Sequence, residues 1–293
     1  MRRVSYRCER TIARPAEVRG VGFLTGGMVR LRFQPAPPHS GIVFRRTDLR
    51  DVPAIVASVE NVTDTQRRTT LGQAPNQVGL VEHVLAALSG LRIDNCLVLL
   101  NAPEPPGLDG SAQHFVEMLS KAEPVLQPAR RYAWTVSAPV QVSQDGATLT
   151  LYPADRELKI SYLLDYGQRS PIGRQMHSDV IRPESFANNL ADCRTFILEE
   201  EAAEMRRRGL GARTTAADLL VFGPRGPIDN RLRYANEPAR HKILDIVGDL
   251  SLLGHDLRGR LVAYRSGHPL NIKLARDLSR MVADQCSPVA LAA

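Results

Sequence analysis

The chain has 293 residues, 43% of them apolar and 24% charged, which is the composition of a soluble globular protein and the length of two domains of about 100 to 200 residues each. No apolar run approaches the roughly 18 residues of a membrane span, and the basic start MRRVSYRCERTIARPAEVRG has no apolar h-region, so a cytoplasmic protein without an integral membrane span is expected. The net charge of +7 is compatible with nucleic acid, an anionic membrane surface or an anionic small substrate, but no basic run with interleaved aromatics occurs, which argues against nucleic acid. Only Lys121, Lys159, Lys242 and Lys273 among the 38 basic residues are lysine, so the arginines are a chain-wide bias rather than a patch. Cys8, Cys96, Cys193 and Cys286 are far apart with no CxxC pair, as expected of reduced thiols rather than a disulfide framework or a cysteine metal site.

In chain order, MVRLRFQP and GIVFRRTDL predict strands separated by the turn-rich PAPPHSG. VGLVEHVLAALSG predicts a helix with Gly90 as its natural C′ residue. CLVLLNAPEPP predicts a buried strand entering a proline loop, and SAQHFVEMLSKA a helix with Ser111 as N-cap. The stretch 123–131, EPVLQPARR, has two prolines and no period, and is expected to link a first domain, 1–126, to a second, 132–293. The second begins with WTVSAPVQVSQDGATLTLYP, a hairpin turning at Asp145-Gly146, continued by LKISYLLDY. Helices are expected around EEEAAEMRRRG and RHKILDIVGDLSLLGH, then the strand RLVAYRSG and the helix HPLNIKLARDLSRMVADQ. Two α+β halves with one order of elements suggest duplication, although no residue-level repeat accompanies it.

Three places could carry chemistry. His241, Asp245 and Asp249 are each four residues apart and form one ridge on a helix; there His241 and Asp245 either share a metal ion or pair on a solvated face. In VEHVLAAL, Glu82 and His83 interrupt an apolar pattern. They point about 100° apart, so one could ligate a metal and the other act as general base on its water; the bland alternative is a polar helix edge. In RSGHPLN, His268 stands between a strand end and a helix start, placed either to protonate a leaving group or to cap a turn. His39, His114, His177 and His255 have no comparable company.

In combination, GVGFLTG (20–26), FRRTDL (44–49), DTQRRTTLG (64–72), VEHVLAALSGLRIDN (81–95), LDGSAQHFV (108–116), RTF (194–196), RHKILDIVGDL (240–250) and YRSGHPLNIKL (264–274) resemble the UDP-3-O-acyl-N-acetylglucosamine deacetylase family, zinc amidases of lipid A biosynthesis. The resemblance runs from near residue 10 to about 280. It implies two similar α+β domains packed with their helices sandwiched between two β-sheets and the active site at the domain interface, the first supplying Glu82 and His83, the second Thr195, His241, Asp245 and His268. It makes His83, His241 and Asp245 ligands of Zn2+, Glu82 the general base, and His268 the general acid supported by Asp249. Thr195 would stabilise the oxyanion, Lys242 contact the polar part of the substrate, and Phe196 line the sugar site. The implied partner is a UDP-linked acylated amino sugar, whose diphosphate gives the positive charge a use, and the acyl passage would be built by an insert within 195–220. A monomer is expected. Two departures stand out: Leu24 occupies a position where the family motif usually has histidine, and the segment after the insert is GARTTAADLLV, 211–221. The alternatives are a non-catalytic paralogue that binds a nucleotide-sugar, and a deacetylase of another N-acyl sugar.

Overall fold

The computed structural model describes residues 1–286. The chain opens with β1 (Arg2–Ile12), β2 (Ala16–Val21), β3 (Met28–Pro35), β4 (Ile42–Arg46) and β5 (Ile55–Val56). In β3 the residues Val29, Leu31 and Phe33 are buried while Met28, Arg30 and Arg32 are exposed, the two-residue period of a sheet with one wet face. A small antiparallel sheet follows, made of β6 (Val62–Asp64), β7 (Thr70–Gln73) and β8 (Asn76–Val78), and then α1 (Glu82–Gly90), β9 (Cys96–Leu100) and α2 (Gln113–Lys121). Strand β9 enters between β3 and β4, antiparallel to the first and parallel to the second, giving the order β2-β3-β9-β4-β5.

Next comes β10 (Pro124–Thr135), paired antiparallel with β1 from Arg2↔Thr135 to Ile12↔Pro124. The stretch 123–131, expected as a linker, is thus mostly strand. Its residues are largely exposed, so no burial period marks it, and Pro128 falls where the β1–β10 register shifts between Cys8 and Arg10, a bulge that tolerates proline. The proposed break between 126 and 132 lies inside this strand.

The second half repeats the plan of the first. β11 (Val140–Gln144) and β12 (Ala147–Tyr152) form the expected hairpin, with Asp145 and Gly146 both at positive φ, as a tight hairpin turn requires. β13 (Leu158–Asp165) pairs with β14 (Arg174–Val180). After α3 (Pro183–Asn189), a second small sheet is built from β15 (Phe196–Leu198), β16 (Leu220–Gly223) and β17 (Gly226–Pro227), with α4 (Glu199–Arg207) crossing between the parallel β15 and β16. Then come α5 (Glu237–Ser251), β18 (Asp256–Leu257), β19 (Gly259–Tyr264) and α6 (His268–Cys286). Strand β19 enters between β12 and β13, again antiparallel to one and parallel to the other. The duplication absent at residue level is explicit in topology.

The helices fill the space between the two five-stranded sheets: α2 leans on β2, α1 packs on α5, and α5 and α6 cover the second sheet. Of the 15 residues of α5 only a few reach solvent, and the polar ridge of His241, Asp245 and Asp249 is itself buried. A helix buried all round suits a core position, which removes the solvated-face reading of that ridge. Small residues allow the close crossing. A Cβ on Gly248 would lie 2.2 Å from the Glu82 carbonyl oxygen, so glycine is needed where α5 passes the start of α1.

Two local expectations change. Gly90 lies inside α1 rather than at C′, because a Cβ there would strike the Phe186 ring at 2.2 Å; the left-handed residue after the cap is Arg92, at φ 57°. Ser111 precedes the cap position of α2, and its hydroxyl donates to Asp109 while accepting the Gln113 N–H. Cys8, Cys96 and Cys193 are free; the expectation for the Cys286 thiol falls outside what the structure describes. No helix among the described residues is long and apolar enough to cross a membrane.

Candidate metal centre

Where α1 and α5 cross, His83, His241 and Asp245 come together with all three ligand atoms within 4.8 Å of one another. Asp245 Oδ1 lies 3.3 Å from His241 Nε2 and 3.7 Å from His83 Nε2, and the two imidazoles meet edge to face at 5.0 Å. His241 Nδ1 sits 3.0 Å from the Cys193 carbonyl; this assigns the proton to Nδ1 and leaves the Nε2 lone pair facing the carboxylate. Burial disfavours the imidazolium and pushes His241 down to about 3, so it is neutral and able to donate electrons. Burial also opposes the charge on Asp245, but His241 and the Lys242 ammonium outweigh it and hold its carboxyl well below the usual range.

Asp245 Oδ2 accepts from Lys242 Nζ at 2.8 Å, yet Oδ1 is buried with no hydrogen-bond partner. An orphaned carboxylate oxygen costs about 1–3 kcal/mol or more, and this one faces the Nε2 atoms of His241 and His83. A divalent cation would satisfy all three. Two imidazoles and one carboxylate form a borderline nitrogen and oxygen donor set suited to zinc and other late first-row divalent ions. The residues therefore fit a metal.

A second group of residues stands beside the first. Glu82 is 2% exposed at the first position of α1; its Oε2 accepts the Thr69 N–H at 3.0 Å, and its Oε1 lies 3.9 Å from His268 Nε2. Burial raises the Glu82 pKa, with His268 and His83 opposing. His268 opens α6, and its Nδ1 is held 2.8 Å from Asp249 Oδ2. Burial works against a charge on His268, but Asp249 and Glu82 outweigh it and raise it to about 9. Asp249 is fully satisfied, accepting from Thr69 Oγ1 at 2.6 Å and Asn271 Nδ2 at 2.8 Å as well. One ridge of α5 thus carries two metal-type ligands and the carboxylate that orients His268.

Thr195 and Phe196 approach from the start of β15. They are fixed by Arg194, which pairs with the fully buried Glu237 at 2.8 Å, while the Thr195 N–H donates to the Gly110 carbonyl at 2.8 Å. Lys242 Nζ lies 5.5 Å above the Phe196 ring, and Phe196 contacts His241 edge-on at 6.3 Å. Burial opposes the Lys242 charge, but Asp245 raises its pKa above the usual value, so it is cationic. All nine residues expected from the sequence converge on this region.

Seven of them, all but the buried His241 and Asp249, line a cavity of about 680 Å³, walled on one side by Leu24 and Phe23 and on another by Met205, Leu210 and Leu219 of the insert. The loop bearing Leu24 is clamped by Glu104, 1% exposed, which accepts the N–H groups of Leu24 at 2.9 Å and Thr25 at 2.7 Å. The 211–221 segment reaches this loop as well: Arg213 donates to the Gly26 carbonyl at 3.0 Å and Thr214 to the Phe23 carbonyl at 3.3 Å. Sequence reasoning missed Thr69, Asn271, Glu104, Glu237 and Arg194. Thr69 and Arg194 sit inside motifs already singled out, and Asn271 lies one turn after His268; Glu104 and Glu237 carry no local signal beyond an acidic residue beside proline.

A family model described as UDP-3-O-acyl N-acetylglycosamine deacetylase matches residues 9–280. A relative from Trichormus variabilis, UDP-3-O-acyl-N-acetylglucosamine deacetylase, is 39% identical over 275 residues, covering 92% of this chain and 98% of its own. A relative of the same name from Chlamydia caviae is 39% identical over 275 residues, covering 93% and 97%. With a metal-type triad, a buried Glu82–His268 pair and matching sequence along nearly its whole length, the chain belongs to the UDP-3-O-acyl N-acetylglycosamine deacetylase family.

Proposed function

We propose that the protein hydrolyses the N-acetyl group of UDP-3-O-acyl-N-acetylglucosamine, giving UDP-3-O-acyl-glucosamine and acetate on the route to lipid A, with zinc held by His83, His241 and Asp245. The observation that carries this reading is the orphaned Asp245 Oδ1 facing two imidazoles beside the Glu82–His268 pair. The names of the relatives supply the substrate class. Bound zinc would supply Lewis acidity to the amide and an acidified water.

The chain's own residues do the rest. Glu82, anchored through Oε2 by Thr69, keeps Oε1 free to take a proton from the attacking water. His268, cationic and oriented by Asp249, gives a proton to the departing glucosamine nitrogen, and the collapse of the C–N bond leaves acetate. Thr195 stands where negative charge grows on the amide oxygen, and Lys242 and Phe196 orient the sugar. The acyl chain takes the apolar side of the cavity by Met205, Leu210 and Leu219. In this reading residues 1–126 bring the general base and one ligand, and 132–293 bring the other two ligands and the acid. The experiment is acetate release from UDP-3-O-acyl-N-acetylglucosamine of several acyl lengths and from the non-acylated UDP-sugar. Turnover with a length optimum is expected; equal turnover of the non-acylated compound would contradict the role given to the cavity.

A further inference from the structure

At the far end of α1 and α5 a separate cleft of about 130 Å³ opens, lined by Leu85, Leu88 and Leu250 on its apolar side and by Arg7, Arg92, Arg131 and Arg258. Its α5 lining residues, Val247, Leu250 and Ser251, lie about 3 to 9 Å along the helix axis from Asp245. Arg7 and Arg131 share two carboxylates: Arg7 reaches Asp94 at 2.6 Å and Asp256 at 2.7 Å, and Arg131 reaches both at 3.1 Å. These four groups neutralise one another. The side chains of Arg92 and Arg258 have no hydrogen bond or ion pair among the described residues, and Arg258 Nε is buried without a partner. His255, at the same cleft, is held below its ordinary value by burial and Arg131, so it adds no compensating feature. Burial and the nearby Arg7 also lower Arg92, the mark of a positive cluster short of negative charge.

We propose that this cleft binds a phosphate-sized oxyanion, free or as the phosphoryl group of a metabolite, between Arg92 and Arg258. The volume suits one such ion with a few waters, at about 30 Å³ for each water, and guanidinium forks match its oxygens. The carbonyl ends of α1 and α5 reach the same cleft through Ser89 and Ser251, and the two guanidinium charges outweigh their partial negative charge. Arg92 holds its place in the left-handed region at φ 57°, where glycine would be less strained. An anion here would brace the two helices that carry the metal-type ligands.

Calorimetric titration and thermal melting of the holoenzyme test this, with sodium phosphate and glycerol phosphate against chloride at equal ionic strength. Phosphate is expected to bind and raise the melting temperature beyond chloride, with affinity about tenfold weaker in Arg92→Gly and Arg258→Gln and unchanged in Lys242→Ala, which probes the catalytic cavity. Arg92→Gly relieves a positive φ and so keeps the fold. Glycerol phosphate binding alike identifies a metabolite's phosphoryl group; phosphate alone identifies the free ion. Equal effects of phosphate and chloride, or a phosphate response that survives both arginine variants or vanishes in Lys242→Ala, would overturn the proposal.

Discussion

Glu82 and His268 lie 3.9 Å apart and are both buried, so the protonation state each needs is set by the other. Hydrolysis in the proposed direction requires Glu82 ionised and His268 protonated. Activity therefore rises with pH as Glu82 loses its proton and falls as His268 loses its own, near the raised value of about 9, or lower once a bound cation adds positive charge beside it. Asp249 contributes most to raising His268. Asp249→Asn should move the descending limb of kcat to lower pH; an unshifted limb would detach Asp249 from the acid. Glu82→Ala should lose about 10²- to 10⁴-fold in kcat while keeping its metal, whereas His83→Ala should lose the metal as well, since it removes one of three ligands. Metal analysis of both purified variants separates the roles. A metal-free Glu82→Ala would make Glu82 a ligand.

The elements α1 and α5 hold the site because their backbones touch at Gly248. Gly248→Ala places a methyl 2.2 Å from the Glu82 carbonyl oxygen and should cost about 1–3 kcal/mol and most of the activity together, read as a lowered melting temperature and kcat; a stable, fully active variant would show that the helix spacing is not critical. Much of this arrangement was legible beforehand. The i, i+4 spacing of His241, Asp245 and Asp249 fixes their common face in any helix, and Asp145-Gly146 specifies its hairpin. The partner of a face is not written in the period, so the ridge could equally have been solvated; burial by α1 and the second sheet decides it. Strand β10 escaped because an exposed, proline-containing strand has no alternation to show, and Gly90 was misplaced because its need is a neighbour, Phe186, rather than its own φ.

Across the whole molecule the two halves share one topology and have diverged in the inserts. The small sheet β6-β7-β8 places Thr69, the residue just before β7, between Glu82, Asp249 and His268, while the insert β15–α4–β16 walls the cavity. Met205→Trp in α4 should shift the preference toward shorter acyl chains by filling the passage, read as kcat/KM across a length series; an unchanged optimum would place the chain elsewhere. The structure ties the loop that carries Leu24 to the 211–221 segment at the wall of that cavity. The central claim is that His83, His241 and Asp245 hold the metal on which hydrolysis depends. The most direct measurement is acetate release from UDP-3-O-acyl-N-acetylglucosamine by protein stripped with chelator, then restored with one equivalent of zinc, with bound metal counted in parallel. Loss on stripping and recovery with one bound ion is expected; full turnover by metal-free protein would contradict it.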